Sequence, residues 1–330
     1  MDILNIYLPI SGIEFNLLIL ITIGFCVGTL GGFFGVGGAW IVTPALNIFG
    51  FNMPFAIGTG KHSKLGNVDW RLGVVSIFGS IIGIEGGKRF VLFLEKTGNV
   101  GPVVRYVYMV FLFGLGAYML YDYFSTMKKQ QPGLSSGDEQ VETISTLALR
   151  LRLINLPPRL SLPTSGISGI SFWIVFIIFL ITGFLSGFMG VGGGFILLPA
   201  LIYVVGCPTT VAVGTSLLSV CFMSGYGTFT YSLSGRTELL AAMIMLTGAA
   251  VGAQIGVLAT KFIRGYGIRI LFAIMIILAG SSVTFKQLQS TFNLELFGTL
   301  AAFVVMGAAG SMTLLIFVKL VIGMRTVGRQ

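Results

Sequence analysis

Long apolar runs alternate along the chain with short polar stretches. The apolar runs cover residues 13–35, 71–87, 103–124, 172–189, 209–230, 239–260, 270–285 and 296–322. Runs of about 20 apolar residues are long enough for a helix to cross the hydrocarbon core of a bilayer. The pattern therefore predicts an all-α integral membrane protein that is surrounded by lipid over most of its length.

Two glycine-rich blocks interrupt this pattern at corresponding places. Residues 28–46 read GTLGGFFGVGGAWIVTPAL and residues 183–201 read GFLSGFMGVGGGFILLPAL, with twelve of the nineteen positions identical. So many shared glycines inside apolar sequence indicate that the chain consists of two copies of one unit. The copies are predicted to be transmembrane repeats at 13–125 and 169–290, joined by a cytoplasmic linker at 126–168.

The glycines predict that each copy contains a broken helix. Glycine costs about 1 kcal/mol relative to alanine inside a helix, so the helix should stop at Gly37 and Gly38, and again at Gly192, Gly193 and Gly194. Interrupted segments at matching places in two halves are typical of transporter binding sites. The helix after each break points its N-terminal N–H groups inward, so two facing breaks would attract an anion. Alternatively, the glycines serve only close helix packing.

The segment count predicts about seven full transmembrane helices plus two broken segments, which are either re-entrant or discontinuous. If the broken segments enter and return, each copy has three full crossings. An odd number of crossings inverts the second copy relative to the first, so we expect two inverted repeats. An additional transmembrane helix at 296–322 has no counterpart in the first copy.

Composition and charge support a membrane protein. The chain is 55% hydrophobic and 9% charged, whereas a soluble domain carries roughly 25% charged residues. The net charge of +9 comes from loops and helix ends, as the positive-inside bias predicts, so nucleic-acid binding is not expected. The three cysteines lack metal-ligand spacing, and no metal or other cofactor is expected.

Few charged residues lie inside the predicted membrane segments. Each costs about 2.5 kcal/mol or more there and usually serves function. Lys61 and His62, the single histidine, follow the first break. Such a pair near two helix N-termini would form a cationic pocket, with Lys61 as the fixed charge and His62 as hydrogen-bond donor or proton carrier. Lys61 could instead snorkel to the interface, and His62 could be structural.

Neutral polar residues complete the predicted site. Their hydroxyl groups could bind an oxyanion or bond back to their own helix. Trp40 could line the site or pack in the core, and Glu85 could carry a proton or pair with Lys88 or Arg89. His62 and Glu85 are the candidates for proton coupling. The residues predicted to bind the substrate are Gly37, Gly38, Trp40, Thr59, Lys61, His62, Ser63, Gly192, Gly193, Gly194, Thr215, Ser216 and Ser219.

The paired blocks, each followed by A-[IV]-G-T, resemble the TauE/SafE family of sulfite and organosulfonate exporters. The resemblance covers residues 16–289. It implies a multi-pass protein of the cell inner membrane with two repeats, which exports sulfite, sulfoacetate or a related C2 sulfonate. The family's motif residues correspond to Gly35, Gly37, Gly38, Pro44, Gly190, Gly192, Gly193 and Pro199.

The sequence therefore predicts a secondary transporter that exports a small anion, sulfite or a C2 organosulfonate such as sulfoacetate, by alternating access. An anion channel, or a permease for another small carboxylate or oxyanion, is the alternative. An enzyme is not expected, because adjacent His62 and Ser63 would point about 100° apart on a helix and form a poor base–nucleophile pair. The expected partners are the anion and the bilayer, with no nucleic acid, and a homodimer is left open.

Overall fold

The computed structural model describes residues 4–9, 12–36, 69–98, 100–129, 146–152, 156–190, 193–233, 239–263 and 266–327. The predicted site residues of the first copy between 37 and 68, together with Gly192, lie outside the described residues. The described residues are mainly helical and contain no closed sheet, in agreement with the predicted all-α class.

Ten α-helices and two short hairpins make up the described chain. In order, they are β1 (Asn5–Leu8), β2 (Ile13–Asn16), α1 (Leu17–Phe34), α2 (Trp70–Lys96), α3 (Val100–Lys129), α4 (Thr146–Arg152), β3 (Arg159–Leu162), β4 (Ile167–Ser171), α5 (Phe172–Met189), α6 (Gly194–Ala200), α7 (Thr209–Ser232), α8 (Leu239–Ala259), α9 (Tyr266–Phe292) and α10 (Glu295–Val327). A π-helical turn, Leu201–Val205, continues α6.

Seven of the described helices are long and apolar enough to cross a membrane, which is the predicted number, but two of these seven belong to the broken segments that the prediction counted separately. They are α1, α3, α5, α7, α8, α9 and α10. Two of them, α1 and α5, are the first parts of the glycine-broken segments, whereas the more charged α2 is not among the seven. Large apolar side chains such as Val110 and Phe303, each 73% exposed, cover the outside of the bundle, where lipid would surround them.

Each half of the chain begins with a β-hairpin directly before its first long helix, a feature that the sequence analysis did not predict. Asn5 lies opposite Asn16 in the first hairpin, and Arg159 lies opposite Ser171 in the second. Asn16 and Ser171 are also the N-cap residues of α1 and α5. The hairpin is therefore part of the duplicated unit. Its short strands carry too few alternating positions to stand out beside the apolar runs.

The first long helix of the first half, α1, packs on α8 through glycines. A Cβ atom added to Gly28 would lie 2.5 Å from the Cα atom of Ala249, so only glycine permits this approach. The successive contacts are Gly24 with Met245, Gly28 with Ala249 and Gly32 with Ala253. Because both residue numbers rise together, the two helices run parallel.

The first long helix of the second half, α5, packs on α2 in the same manner. A Cβ atom added to Gly183 would lie 2.6 Å from the carbonyl oxygen of Ser80. The successive contacts from α2 are Gly79 with Phe176, Gly83 with Leu180 and Gly87 with Phe184. These helices also run parallel, so each half places its first long helix on the glycine-rich helix of the other half.

Helices α3 and α9 form the third contact between the halves, and they run antiparallel. Gly116 of α3 faces Ile277, and Gly280 of α9 faces Leu112, so one residue number falls as the other rises. Helix α10 folds back on α9, where the Ser282 hydroxyl donates to the Ala301 carbonyl at 2.7 Å. The described parts of the broken segments lie within this framework.

Candidate functional site

The break in the second copy begins with a left-handed glycine. Helix α5 ends at Met189, and Gly190 adopts φ 69° while its N–H donates to the Ser186 carbonyl at 2.9 Å. A glycine in this conformation is a common helix C-cap, because it has no Cβ to clash. Gly193 is also left-handed at φ 70°, and α6 begins at Gly194. The predicted interruption is confirmed, but the helix ends earlier than the three predicted glycines.

The first copy ends its helix in the same conformation. Helix α1 ends at Phe34, and Gly35 has φ 70° with its N–H donating to the Gly31 carbonyl at 2.9 Å. The described part of this segment stops at Val36. Gly35 and Gly190 hold corresponding places in the duplicated blocks, so the shared sequence produces the same helix end twice.

The two breaks lie against each other. A Cβ atom added to Gly194 would overlap the backbone of Val36, with the Val36 carbonyl carbon at 2.7 Å. The Ser216 hydroxyl of α7 donates to the Gly35 carbonyl at 2.6 Å. The start of α6 therefore meets the end of α1 at a buried point, where Ser216 and Val36 have no exposed surface.

The second broken segment is re-entrant. After the π-helical turn, the Cys207 thiol lies 3.6 Å from the Ser165 hydroxyl, which belongs to the turn between β3 and β4. That hairpin leads directly into α5. Both ends of the stretch from Phe172 to Cys207 therefore lie at the same end of the bundle, and the chain enters and returns instead of crossing.

The predicted hydroxyl residues of the second copy surround this meeting point and are fully buried. The Thr215 hydroxyl accepts a hydrogen bond from the Asp69 N–H at 2.9 Å, and the Ser219 hydroxyl donates to the Thr215 carbonyl at 3.0 Å. The donor hydrogens of Ser216 and Ser219 are thus directed at backbone oxygens. In this conformation Ser216 joins α7 to the end of α1, whereas Ser219 bonds back to its own helix.

Glu85 and Phe195, the second-copy counterpart of Trp40, have defined surroundings. Phe195, which follows the second break, is buried and stacks on Tyr108 of α3 with ring centroids 6.2 Å apart. Glu85 accepts a hydrogen bond from Arg89 at 3.0 Å, and Lys88 donates to the Thr230 carbonyl at 3.0 Å. The structure brings Gly193, Gly194 and the hydroxyl residues of α7 to one place, while Glu85 lies on another helix in an exposed ion pair.

Asp69 is a buried acid that the sequence analysis missed. It is 1% exposed, caps α2 through the N–H groups of Arg71 and Leu72, and accepts a hydrogen bond from Ser165 at 3.1 Å. Together with its bond to Thr215, it connects α2, α7 and the second hairpin. An aspartate directly before an apolar helical run is a helix-start signal, so the sequence did contain a clue.

A second missed cluster fixes the returning end of the re-entrant segment. Arg269 is 5% exposed, and its Nε donates to the Thr209 hydroxyl at 2.8 Å. Its guanidinium lies 3.7 Å from the Asp122 carboxylate and 5.6 Å from the ring centre of Tyr203, whose hydroxyl donates to Asp122 at 3.1 Å. The cluster joins α3, α7 and α9 to the π-helical turn.

Asp122→Leu is expected to destabilise the protein, because it leaves the buried Arg269 charge without its carboxylate. Breaking a buried ion pair costs about 3–5 kcal/mol, and the partial exposure of Asp122 lowers this to about 2 kcal/mol. The apparent melting temperature of the purified protein should fall by about 4 °C. Glu85→Leu is the matched control, since it breaks the exposed pair with Arg89 and should change the melting temperature by less than about 2 °C.

The described residues define a multi-pass, all-α membrane protein in which a re-entrant helix meets the end of a second broken helix. The sequence model of the family described as "Sulfite exporter TauE/SafE" matches residues 20–283, and the chain belongs to this family of membrane transporters. The duplicated glycine blocks that produce the breaks lie within the matched residues. This assignment confirms the resemblance seen in the sequence and a multi-pass location in the inner membrane.

Curated relatives agree with the family. The chain is 28% identical over 256 residues to a "Probable membrane transporter protein" of Xylella fastidiosa. The aligned region covers 73% of this chain and 82% of the relative. It is 24% identical over 298 residues to "Probable membrane transporter protein YunE" of Bacillus subtilis. That aligned region covers 83% of this chain and 100% of the relative. No solved structure matches the chain.

Proposed function

We propose that this transporter exports a small anion, sulfite or a C2 organosulfonate such as sulfoacetate, by alternating access. The observation that carries the proposal is the contact between the two breaks, where Gly194 at the start of one helix meets Val36 at the end of another. Helix starts carry unpaired N–H groups and a positive partial charge, which favour an anion. The family's description as sulfite exporters supports sulfite among the anions.

The second part of the proposal is that the two halves are inverted repeats. Helices α1 and α8 are parallel, α2 and α5 are parallel, and α3 and α9 are antiparallel. Reciprocal packing of corresponding helices is what a two-fold axis in the membrane plane would produce. An inverted pair supports alternating access, because rocking one half against the other exposes a shared site first to one side and then to the opposite side.

The binding residues are proposed as the sequence predicted them. Gly37, Gly38, Trp40, Thr59 and Ser63 would line the first-copy side, together with Lys61 and His62. In the second copy, Gly192, Gly193 and Gly194 would present the helix start, and Thr215, Ser216 and Ser219 would support it from α7. Lys61 would supply the fixed positive charge, and His62 or Glu85 would carry a proton.

Transport into proteoliposomes tests the function. Purified protein should take up labelled sulfite or sulfoacetate with saturable kinetics, and an imposed proton gradient should change the rate. Taurine and sulfate serve as comparison substrates, and liposomes without protein give the background. Saturable flux supports alternating access. Flux that rises linearly with substrate and ignores the proton gradient would indicate a channel and contradict the proposal.

Lys61→Ala is expected to weaken substrate binding without unfolding the protein. Losing a charged hydrogen-bond partner costs about 1.5–3 kcal/mol, so the apparent KM for sulfite should rise about tenfold or more. Lys261→Ala is the control, because this exposed lysine follows α8. An unchanged KM in Lys61→Ala would remove Lys61 from the proposed site.

A further inference from the structure

Helices α3 and α9 are corresponding elements of the two halves, yet they carry different charges. When Gly116 is aligned with Gly280, Arg105 falls on Arg269 and Asp122 falls on Lys286. The antiparallel packing brings Asp122 beside Arg269 at one end of the helix pair. The corresponding pair at the other end is Arg105 with Lys286, so an acid in one pair is replaced by a base in the other.

The register of the two helices brings Arg105 and Lys286 together. The contacts of Leu112 with Gly280 and of Gly116 with Ile277 lie between the two charge pairs and continue the same antiparallel register. Continued towards the start of α3, this register places Arg105 and Lys286 at the same level of the helix pair. Both side chains are partly buried, so water screens their repulsion only in part.

Neither cation forms an ion pair with an acid among the described residues. The Nε atom of Arg105 is buried and has no hydrogen-bond partner among the described residues, and Lys286 has no ion-pair partner among them. A buried charged donor without a partner is costly, and two adjacent cations increase that cost.

The start of α3, which carries Arg105, lies near the second break. Arg105 lies one helical turn before Tyr108, whose hydroxyl donates to the Met189 carbonyl at 3.4 Å. Met189 is the last residue of α5. Helix α3 therefore contacts the helix end at which the second copy breaks, one turn away from Arg105.

We propose that Arg105 and Lys286 together bind a tetrahedral oxyanion at this end of the α3–α9 pair. The bound group is a sulfate- or sulfonate-like ion or the phosphate of a lipid headgroup, which offer the same chemistry. The Arg105 guanidinium donates through its unpaired Nε and Lys286 supplies the second charge, as in other cationic anion sites. At the opposite end, Asp122 occupies the place of the anion, so that end is closed by the protein itself.

Thermal unfolding of the purified protein in detergent tests this site, with sodium sulfate as probe and sodium chloride of equal ionic strength as reference. Sulfate should raise the apparent melting temperature of the wild type by about 3 °C more than chloride does. Lys286→Asp recreates the Arg–Asp pair of the other end. In the absence of sulfate, this variant should therefore have a higher melting temperature than the wild type. Sulfate should then raise its melting temperature no more than chloride does. General stabilisation by sulfate affects all variants alike.

Lys261→Asp is the matched control, because it makes the same change of charge at an exposed position. It should keep the sulfate increment. Lys286→Gln replaces Lys286→Asp if that variant does not fold. It should lose the sulfate increment and, because it removes the repulsion without adding an ion pair, gain less stability than Lys286→Asp. A sulfate increment retained in both Lys286 variants would overturn the proposal.

Adding phosphatidylglycerol in place of sulfate distinguishes the two sources of the oxyanion. A rise with sulfate assigns the site to a free ion, and a rise with the lipid alone assigns it to a headgroup. If neither sulfate nor phosphatidylglycerol raises the melting temperature of the wild type, the proposal is overturned. Lys61→Ala should keep the increment, so this site is tested separately from the proposed transport site, and a failure of sulfite transport would leave the result unaffected.

Discussion

Replacing Gly28 with leucine is expected to abolish accumulation of folded transporter in the membrane. A Cβ atom at this position would lie 2.5 Å from the Ala249 Cα atom, and backbone on the facing helix cannot move aside as a flexible side chain can. The overlap costs about 3 kcal/mol or more, which is a large part of the stability of a typical protein. Gly83→Leu should act alike in the α2–α5 contact, because its Cβ would lie 2.6 Å from the Phe184 nitrogen.

Size-exclusion chromatography of fluorescent fusions measures this effect. The monodisperse peak should fall about tenfold or more in both variants. Gly225→Leu and Gly307→Leu are the controls, since nothing lies within 4 Å of a Cβ added at either position. A normal peak for Gly28→Leu would mean that α1 and α8 do not pack as closely as described.

Gly193→Leu is expected to abolish transport while leaving more folded protein than Gly28→Leu. Gly193 has φ 70°, a conformation that costs an L-residue about 1–2 kcal/mol. A Cβ there would lie 3.0 Å from the Thr182 carbonyl oxygen and 3.2 Å from the Met223 sulfur, so the start of α6 must shift. Because the proposed anion site depends on where α6 starts, sulfite flux should fall to the level of empty liposomes.

Gly38→Leu at the first-copy position that corresponds to Gly193 should have the same effect on flux. The assay is sulfite uptake into proteoliposomes that contain equal amounts of monodisperse protein. Gly225→Leu again serves as the reference for a leucine without steric consequence. Wild-type flux in both Gly193→Leu and Gly38→Leu would exclude the breaks as the transport site.

Much of the fold could be read from local sequence. Hydrophobic runs identify membrane helices because lipid demands apolar side chains over a fixed length. The duplicated glycine blocks identified both breaks, because glycine disfavours helix wherever it stands. The hairpins before α1 and α5 could not be recognised, since strands of four or five residues leave almost no periodic signal.

The candidate site was only partly accessible from the sequence. The glycines of the second break and Thr215, Ser216 and Ser219 were identified from motif and repeat, and the structure brings them to one place. Asp69 and Arg269 were missed, because their roles depend on partners distant in sequence, such as Thr215 and Asp122.

The sequence by itself determined that this protein is a duplicated, glycine-broken membrane protein, because composition and backbone propensity act locally. Only the tertiary structure decided that the second broken segment returns to the end it entered from, that Val36 meets Gly194, and that α3 and α9 pack antiparallel. These features depend on which helix faces are brought together, and that choice is made by close packing between residues far apart in the chain.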